Sequence, residues 1–252
     1  MINKAFIEER GNRRMEPEMQ DVYEELRQRN VPVELFTQKR ILRRQLSLAR
    51  DTLVVGYVQT MLTTFQQLGI QAPPTNDYPS VLQPFFHRRI WESTVATLIS
   101  SIYDGNGAVF AKPKGRKKRF TGHVFRYPDD LRFIEGASTS TPLFCAEVVE
   151  WLSEYRVYVI QGSVVGIKHY EGDPAIMIDE QVATEAVRLL EQSTETTAAY
   201  ALDFGVIGSG LTALIGWNDG YSLGSYELDR SVYTDLLITR WCEITGCETL
   251  NP

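Results

Sequence analysis

The sequence predicts an α+β chain, with a small N-terminal α/β lobe over residues 1–84 followed by a larger region, 85–252, built on antiparallel strands. Three observations carry this. Short apolar runs alternate with helically spaced ones up to about residue 70, the pattern of a small, mostly parallel layer. Residues 71–84 then crowd together Pro73, Pro74, Asn76, Asp77 and Pro79, which breaks that pattern and reads as a linker. Beyond residue 107 the texture changes to strand-like runs paired through glycine-bearing turns.

The elements follow in order. Lys4, Ala5, Phe6 and Ile7 are strand-like, and from Pro17 to Arg29 the apolar Met19, Val22, Tyr23 and Leu26 recur at helical spacing. Residues 32–36 form a second strand, 40–49 a helix and 52–56 a third strand. A helix over 58–68 is stopped by Gly69 and by the two prolines beyond it. Residues 88–103 are expected as one helix. Strands at 108–111 and 119–125 face each other across a basic turn, and strands at 143–149, 155–160 and 163–170 follow, the last two turning at Gln161 and Gly162. A helix over 179–192, a hairpin of 199–206 and 211–215 through Gly208, Ser209 and Gly210, and an amphipathic helix over 231–242 complete the chain.

Of 252 residues, 43% are hydrophobic and 23% charged, enough apolar surface to build a core, which excludes an intrinsically disordered chain. No apolar run approaches the ~20 residues that span a bilayer, and the first residues lack the long apolar stretch of a secretory signal. Three cysteines, an odd number, argue against a disulfide scaffold and for a reducing compartment. A cytoplasmic protein with no membrane attachment is therefore expected. A net charge of −6 counts against general nucleic-acid affinity.

Several familiar chemistries are missing. There is no GxxxxGK[ST] phosphate loop, and the GxG triplets at 105–107 and 208–210 have no third glycine and read as turns. His87, His123 and His169 share no metal-ligand spacing with Cys145, Cys242 or Cys247, and no serine sits in a GxSxG elbow. Residues 112–119 place six cations in eight positions. One reading is a solvated basic loop or a nucleic-acid patch. The other is a turn that closes over a polyphosphate, with Lys112 on the strand floor and Lys118 on a flap bracketed by Gly122. Oxygen donors then follow in clusters: Glu147, Glu150 and Glu154 around a strand connection, Asp203 on a strand, and Asn218 with Asp219 at the end of the next. Donors on two adjacent strands suit a hard cation such as Mg²⁺. Each cluster alone is an ordinary surface feature; their order along the chain is the informative part.

That order, with these residues, resembles the ATP-grasp superfamily, and within it a compact phage and bacterial clade characterised by two arginines and a lysine. The resemblance spans about residues 85–241. AVFAKP at 108–113 with KRFTG at 118–122 looks like the family's first nucleotide strand and flap; AEVVEWLSEYRVYV at 146–159 looks like the hinge that receives adenine and the strand after it. LDFGV at 202–206 and LIGWNDG at 214–220 look like the paired metal-binding strands, and PFFHRRIW at 84–91 is similar to the clade's basic helix. The N-terminal lobe resembles a reduced pre-ATP-grasp domain.

The resemblance implies two antiparallel-sheet α+β subdomains gripping ATP, with Mg²⁺. It implies an ADP-forming ligase joining a carboxylate, on an amino acid, peptide or small metabolite, to an amine through an acyl phosphate. Lys112, Lys118 and one of Arg88 or Arg89 would surround the phosphates, residues 147–150 (Glu147, Val148, Val149, Glu150) would meet the base, and Glu154 the ribose. Arg156 would stabilise the acyl phosphate, and Asp203 and Asn218 would hold the metal. One departure stands out. Where the family places a metal-bridging glutamate two residues before the asparagine, this chain has Gly216. Asp219 or another nearby carboxylate takes that role, or one ion only is held, or the chain is a nucleotide-binding pseudoenzyme or interaction module.

Overall fold

The computed structural model describes residues 2–115 and 120–248. β1 (Lys4–Glu8), β2 (Val33–Phe36) and β3 (Thr52–Val55) form a parallel sheet in the order β2-β1-β3. Parallel neighbours need crossover connections, supplied here by α1 (Pro17–Gln28) and α2 (Gln38–Leu42). α1 begins with Pro17 in its first turn, where a missing N–H is no loss, and buries Met19, Val22 and Leu26. The helix expected over 40–49 is shorter. Arg44 adopts a left-handed conformation (φ 55°), so the chain leaves the helix after Leu42 and folds back to bury Leu46. α3 (Val58–Gln67) follows β3.

Residues 88–103 are not one helix, which corrects the sequence expectation. Ile90–Thr94 form β4, paired antiparallel with β7 (Pro142–Glu147), and only Val95–Tyr103 is helical (α4). The break lies at Thr94, whose backbone is extended and whose hydroxyl accepts a bond from Thr97 N at 3.3 Å, capping α4. The basic helix expected at 84–91 is accordingly a 3-10 turn, Ser80–Phe85, running into a strand. With β5 (Val109–Pro113) and β6 (His123–Phe125) this first antiparallel sheet has the order β4-β7-β5-β6.

The second antiparallel sheet comprises β8 (Trp151–Ile160), β9 (Ser163–Gly172), β10 (Ala199–Ile207) and β11 (Thr212–Asp219), in the order β11-β10-β8-β9. β8 and β11 are both longer than expected. α5 (Glu180–Glu191), capped by Asp179, covers one face, packing Ala186, Val187 and Leu190 with Val157, Leu202 and Phe204. α6 (Arg230–Thr245) is capped by Asp229 and ended by left-handed Gly246 (φ 72°). It is longer than the amphipathic helix expected and buries residues around most of its circumference, including Leu236, Leu237, Ile238 and Trp241. Its core runs across the 84/85 boundary, joining Phe6, Leu26 and Phe65 of the N-terminal lobe to Tyr158 and Ala201 of the second sheet. Among the described residues no helix is long and apolar enough to cross a membrane.

Cys242 and Cys247 form a disulfide, a pairing that the odd cysteine count did not suggest. The left-handed Gly246 turns the chain back at the helix end, its N–H donating to Cys242 O at 2.8 Å, so the two Cα atoms lie 4.5 Å apart. Cys145 is a buried free thiol. Burial pushes its pKa up to about 11, so at pH 7.5 it stays protonated and unreactive. Ellman's reagent should find one thiol per chain after denaturation without reductant. In the native protein that thiol should react more than ~100-fold slower than free cysteine. A native rate equal to free cysteine would show it open to solvent.

Candidate functional site

Residues of both antiparallel sheets line two adjoining cavities of about 320 Å³ each, which share Lys112 and Ile215. The first is walled by Phe110 of β5, Ala146 and Glu147 at the end of β7, Val148 and Val149 in the connection, and Trp151 and Glu154 of β8. Arg88 enters it from the segment before β4. Its guanidinium donates to Phe86 O at 2.9 Å and Leu214 O at 2.7 Å and lies 5.0 Å over the Trp151 ring. These contacts bridge the two sheets. Burial lowers its pKa, though an arginine stays charged at any physiological pH.

The structure separates the two arginines that the sequence left as alternatives. Arg88 faces the cavity, whereas Arg89 is exposed, stacked on Trp91 at 4.5 Å and 3.8 Å from Glu147 Oε1. Glu147 lines the cavity but also accepts from Arg89 N at 2.9 Å, while Glu150 lies outside, its carbonyl accepting from Gly208 N at 3.1 Å. Glu154 accepts from the Tyr170 hydroxyl at 2.6 Å, and burial raises its pKa.

The second cavity is more polar, lined by Asp77, Lys112, Asp203, Asn218 and Asp219. Lys112 sits at the junction of the two. Its Nζ lies 2.8 Å from Asp77 Oδ2 and 4.4 Å over the Tyr78 ring. Burial alone would lower the ammonium, but Tyr78 and Asp77 more than offset it and the pKa is raised. Lys114 points elsewhere, paired with Glu92 at 2.5 Å. Lys118, the expected flap cation, lies outside the described residues.

Asp203 is buried and held from two sides. Arg156 Nε and Nη2 donate to its two oxygens at 2.7 and 2.8 Å, and Asn218 Nδ2 donates to Oδ2 at 2.8 Å. The register explains this: Asp203 pairs with Arg156 of β8 on one side and Gly216 of β11 on the other, so all three share a face. Arg156 itself lines neither cavity; it is buried beneath Asp203 with the Tyr226 ring 4.8 Å away. Asp219 is differently engaged, since Arg240 Nε and Nη2 of α6 donate to both its oxygens at 2.6 Å.

Sequence reasoning missed Asp77, Tyr78, Trp151, Tyr170 and Arg240. Trp151 adjoins the hinge stretch and could have been found there; Asp77 sits in a proline-rich connection whose composition signals only a turn.

The donor set fits a magnesium nucleotide. Among the described residues no three acidic, histidine or cysteine side chains gather into a self-sufficient metal cage. Hard oxygens from Asp203 and Asn218 facing a lysine suit an ion that completes its shell with phosphate oxygens and water.

A parallel lobe ahead of two antiparallel sheets with a cavity-lined cleft is the architecture of an ATP-grasp protein. More particularly, residues 85–236 match the ATP-grasp domain of the clade named for two arginines and a lysine, family 2, and the chain belongs to that family. No curated protein matches it by sequence. Among solved structures it is similar to a RimK domain ATP-grasp protein from Sphaerobacter thermophilus, at TM-score 0.57 and 17% identity, covering 92% of this chain and 99% of that one. It is also similar to D-alanine–D-alanine ligase from Bacillus anthracis complexed with ATP, at 0.57 and 11%, covering 96% and 98%. The ATP-grasp ligase PsnB complexed with a minimal precursor matches at 0.52 and 14%, over 95% and 100%. At these identities the likeness is one of fold.

Proposed function

We propose that this chain is an ATP-dependent, ADP-forming ligase that joins a carboxylate to an amine. The observation that carries this is Lys112, a fixed cation where an apolar cavity backed by a strand connection meets a polar one holding Asp203 and Asn218. That is the layout a nucleoside triphosphate needs, base in one and phosphates in the other. Backbone groups of residues 147–149 would receive adenine, Glu154 the ribose hydroxyls, and Lys112 with Arg88 the phosphates. Asp203 and the amide oxygen of Asn218, its nitrogen being spent on Asp203, would hold Mg²⁺. When bound, Mg²⁺ would withdraw charge from the transferring phosphoryl group.

In the reaction the γ-phosphoryl passes to the carboxylate, releasing ADP, and an amine then displaces phosphate from the acyl phosphate. The chain's part is to hold the reactants in line and to neutralise charge with preorganised cations. Arg156 fits a positioning role better than direct contact, because its guanidinium is committed to Asp203. Amino-acid, peptide and small-metabolite carboxylates all remain within this reading; neighbours on this fold include a ligase complexed with a minimal precursor and a D-alanine–D-alanine ligase. A cytoplasmic setting belongs to the same proposal, although the Cys242–Cys247 disulfide withdraws the cysteine argument for a reducing compartment.

The test is ADP release with ATP, Mg²⁺ and a panel of amino acids and peptides, beside calorimetric ATP binding. ATP binding with no release on any substrate would favour the pseudoenzyme that Gly216 suggests; no binding would end the nucleotide reading. The hinge makes a separate demand. If backbone groups of 147–149 read the base, ATP should bind at least ~10-fold tighter than GTP, because guanine reverses the donor and acceptor order and leaves buried polar groups mispaired. Equal affinities would count against that placement.

A further inference from the structure

Position 216 lies on the same face of β11 as Asn218, two residues on. A Cβ built on Gly216 would sit 3.8 Å from Lys112 Nζ and 3.4 Å from Asp77 O, ordinary van der Waals contacts for that atom. Its φ is outside the left-handed region, so the backbone does not demand glycine. The neighbouring space is filled from another part of the chain. Asp77 O accepts from Trp217 N at 2.9 Å, which lays residue 77 alongside β11. Its carboxylate reaches Lys112 in the cavity that Asp203 and Asn218 also line.

Asp77 is not a loose loop residue. On one side Asn76 Nδ2 donates to Glu195 Oε2 at 2.6 Å, and beyond it Ser80 Oγ donates to Glu195 Oε1 at 2.9 Å. Tyr78 packs edge-on against Phe144 and Phe86, at 5.1 and 5.7 Å. The segment expected as a linker is thus fastened to both antiparallel sheets, with one carboxylate aimed into the cleft.

Resting on the magnesium–nucleotide reading above, we propose that Asp77 supplies, from the connection between the lobes, the carboxylate that position 216 lacks, as a ligand of a second divalent cation between the chain and the nucleotide phosphates. Three carboxylates line that cavity. Asp219 is committed through both oxygens to Arg240. Asp203 is likewise held through both oxygens, by Arg156 and Asn218, and its single formal charge serves the first ion. Among the described residues no arginine pairs with Asp77, whose contact is with the Lys112 ammonium, so it is the carboxylate left to balance a second. Its partner in the structure is the Lys112 ammonium; a phosphate that takes over Lys112 frees Asp77 for the ion, an exchange of one charge-assisted contact for another.

The experiment counts Mn²⁺ bound per chain by electron paramagnetic resonance, with a non-hydrolysable ATP analogue, while calorimetry follows the analogue. The wild type should take up two ions. Asp77→Asn, which keeps the backbone bond to Trp217 and nearly the same volume, should hold one, with the second weakened at least ~10-fold. Adding Gly216→Glu to Asp77→Asn should restore it. Two ions bound as tightly in Asp77→Asn as in the wild type, or one ion in the wild type, would overturn the proposal while leaving the nucleotide reading intact. Absence of analogue binding in every variant would overturn both. Anomalous scattering from wild-type crystals with Mn²⁺ gives a reading free of any folding defect: an ion ligated by Asp77 supports the assignment, and two ions placed away from it refute it.

Discussion

Lys112→Ala is expected to lower ATP affinity by ~30-fold or more, while Lys114→Ala, two residues along the same cationic run, changes it little. The two lysines have similar sequence surroundings and opposite settings. Lys112 lies at the junction of both cavities, half-buried against Tyr78, so an arriving phosphate meets an ammonium already stripped of part of its water. Removing such a charge-assisted contact costs ~2 kcal/mol or more, which is the ~30-fold stated. Lys114 is partnered by Glu92 near the surface over the Phe144 ring, and exposed pairs of that kind contribute little. The measurement is a calorimetric ATP titration of both variants, with circular dichroism to show that each is folded. Equal, small losses from the two substitutions would return Lys112 to the status of a loop cation and remove the ground for placing phosphates beside it.

The contrast between those lysines shows what the sequence could and could not reveal. Strand-end Lys112, the order of acidic clusters and the antiparallel strand pairs were legible because each rests on a local pattern, an apolar run with a charged end or a glycine turn. Their division into two sheets came only from the family resemblance. The stretch 88–103 was misread because Ile90, Trp91 and Thr94 fit a helical period as well as a strand. Pairing of Ile90 with Ala146 and Thr94 with Pro142, set by a partner some fifty residues on, decided the matter. Arg88 and Arg89 could not be told apart because adjacent residues in an extended segment face opposite ways, and only the sheet says which way is inward. The exchange at the cleft was hidden for the same reason. No local spacing links Asp77 to Gly216; the link is the backbone bond from Trp217 to Asp77, 140 residues back along the chain.

The largest effect on stability should come from the ion pair beneath the cleft. Arg156 and Asp203 are both buried, joined by two parallel bonds of 2.7 and 2.8 Å across neighbouring strands. Burial acts against the arginine's charge, but Asp203 overrides it and the guanidinium pKa is raised. Arg156→Met leaves the Asp203 carboxylate inside the sheet with Asn218 as its remaining bonded partner, and Asp203→Leu leaves a guanidinium buried opposite a hydrocarbon. Either change should lower unfolding stability by roughly 3–5 kcal/mol, the cost of an uncompensated buried charge. The double variant should lose much less than the sum, because it removes both desolvation penalties together and adds apolar packing. The two routes then diverge at the site. The double variant should recover its urea midpoint yet bind Mn²⁺ with the ATP analogue poorly, since the first ion has lost its carboxylate, whereas an exposed pair would give single losses below ~1 kcal/mol that simply add. A double variant that regained both stability and metal binding would show that Asp203 serves the fold alone, and that the ion is held elsewhere in the cleft.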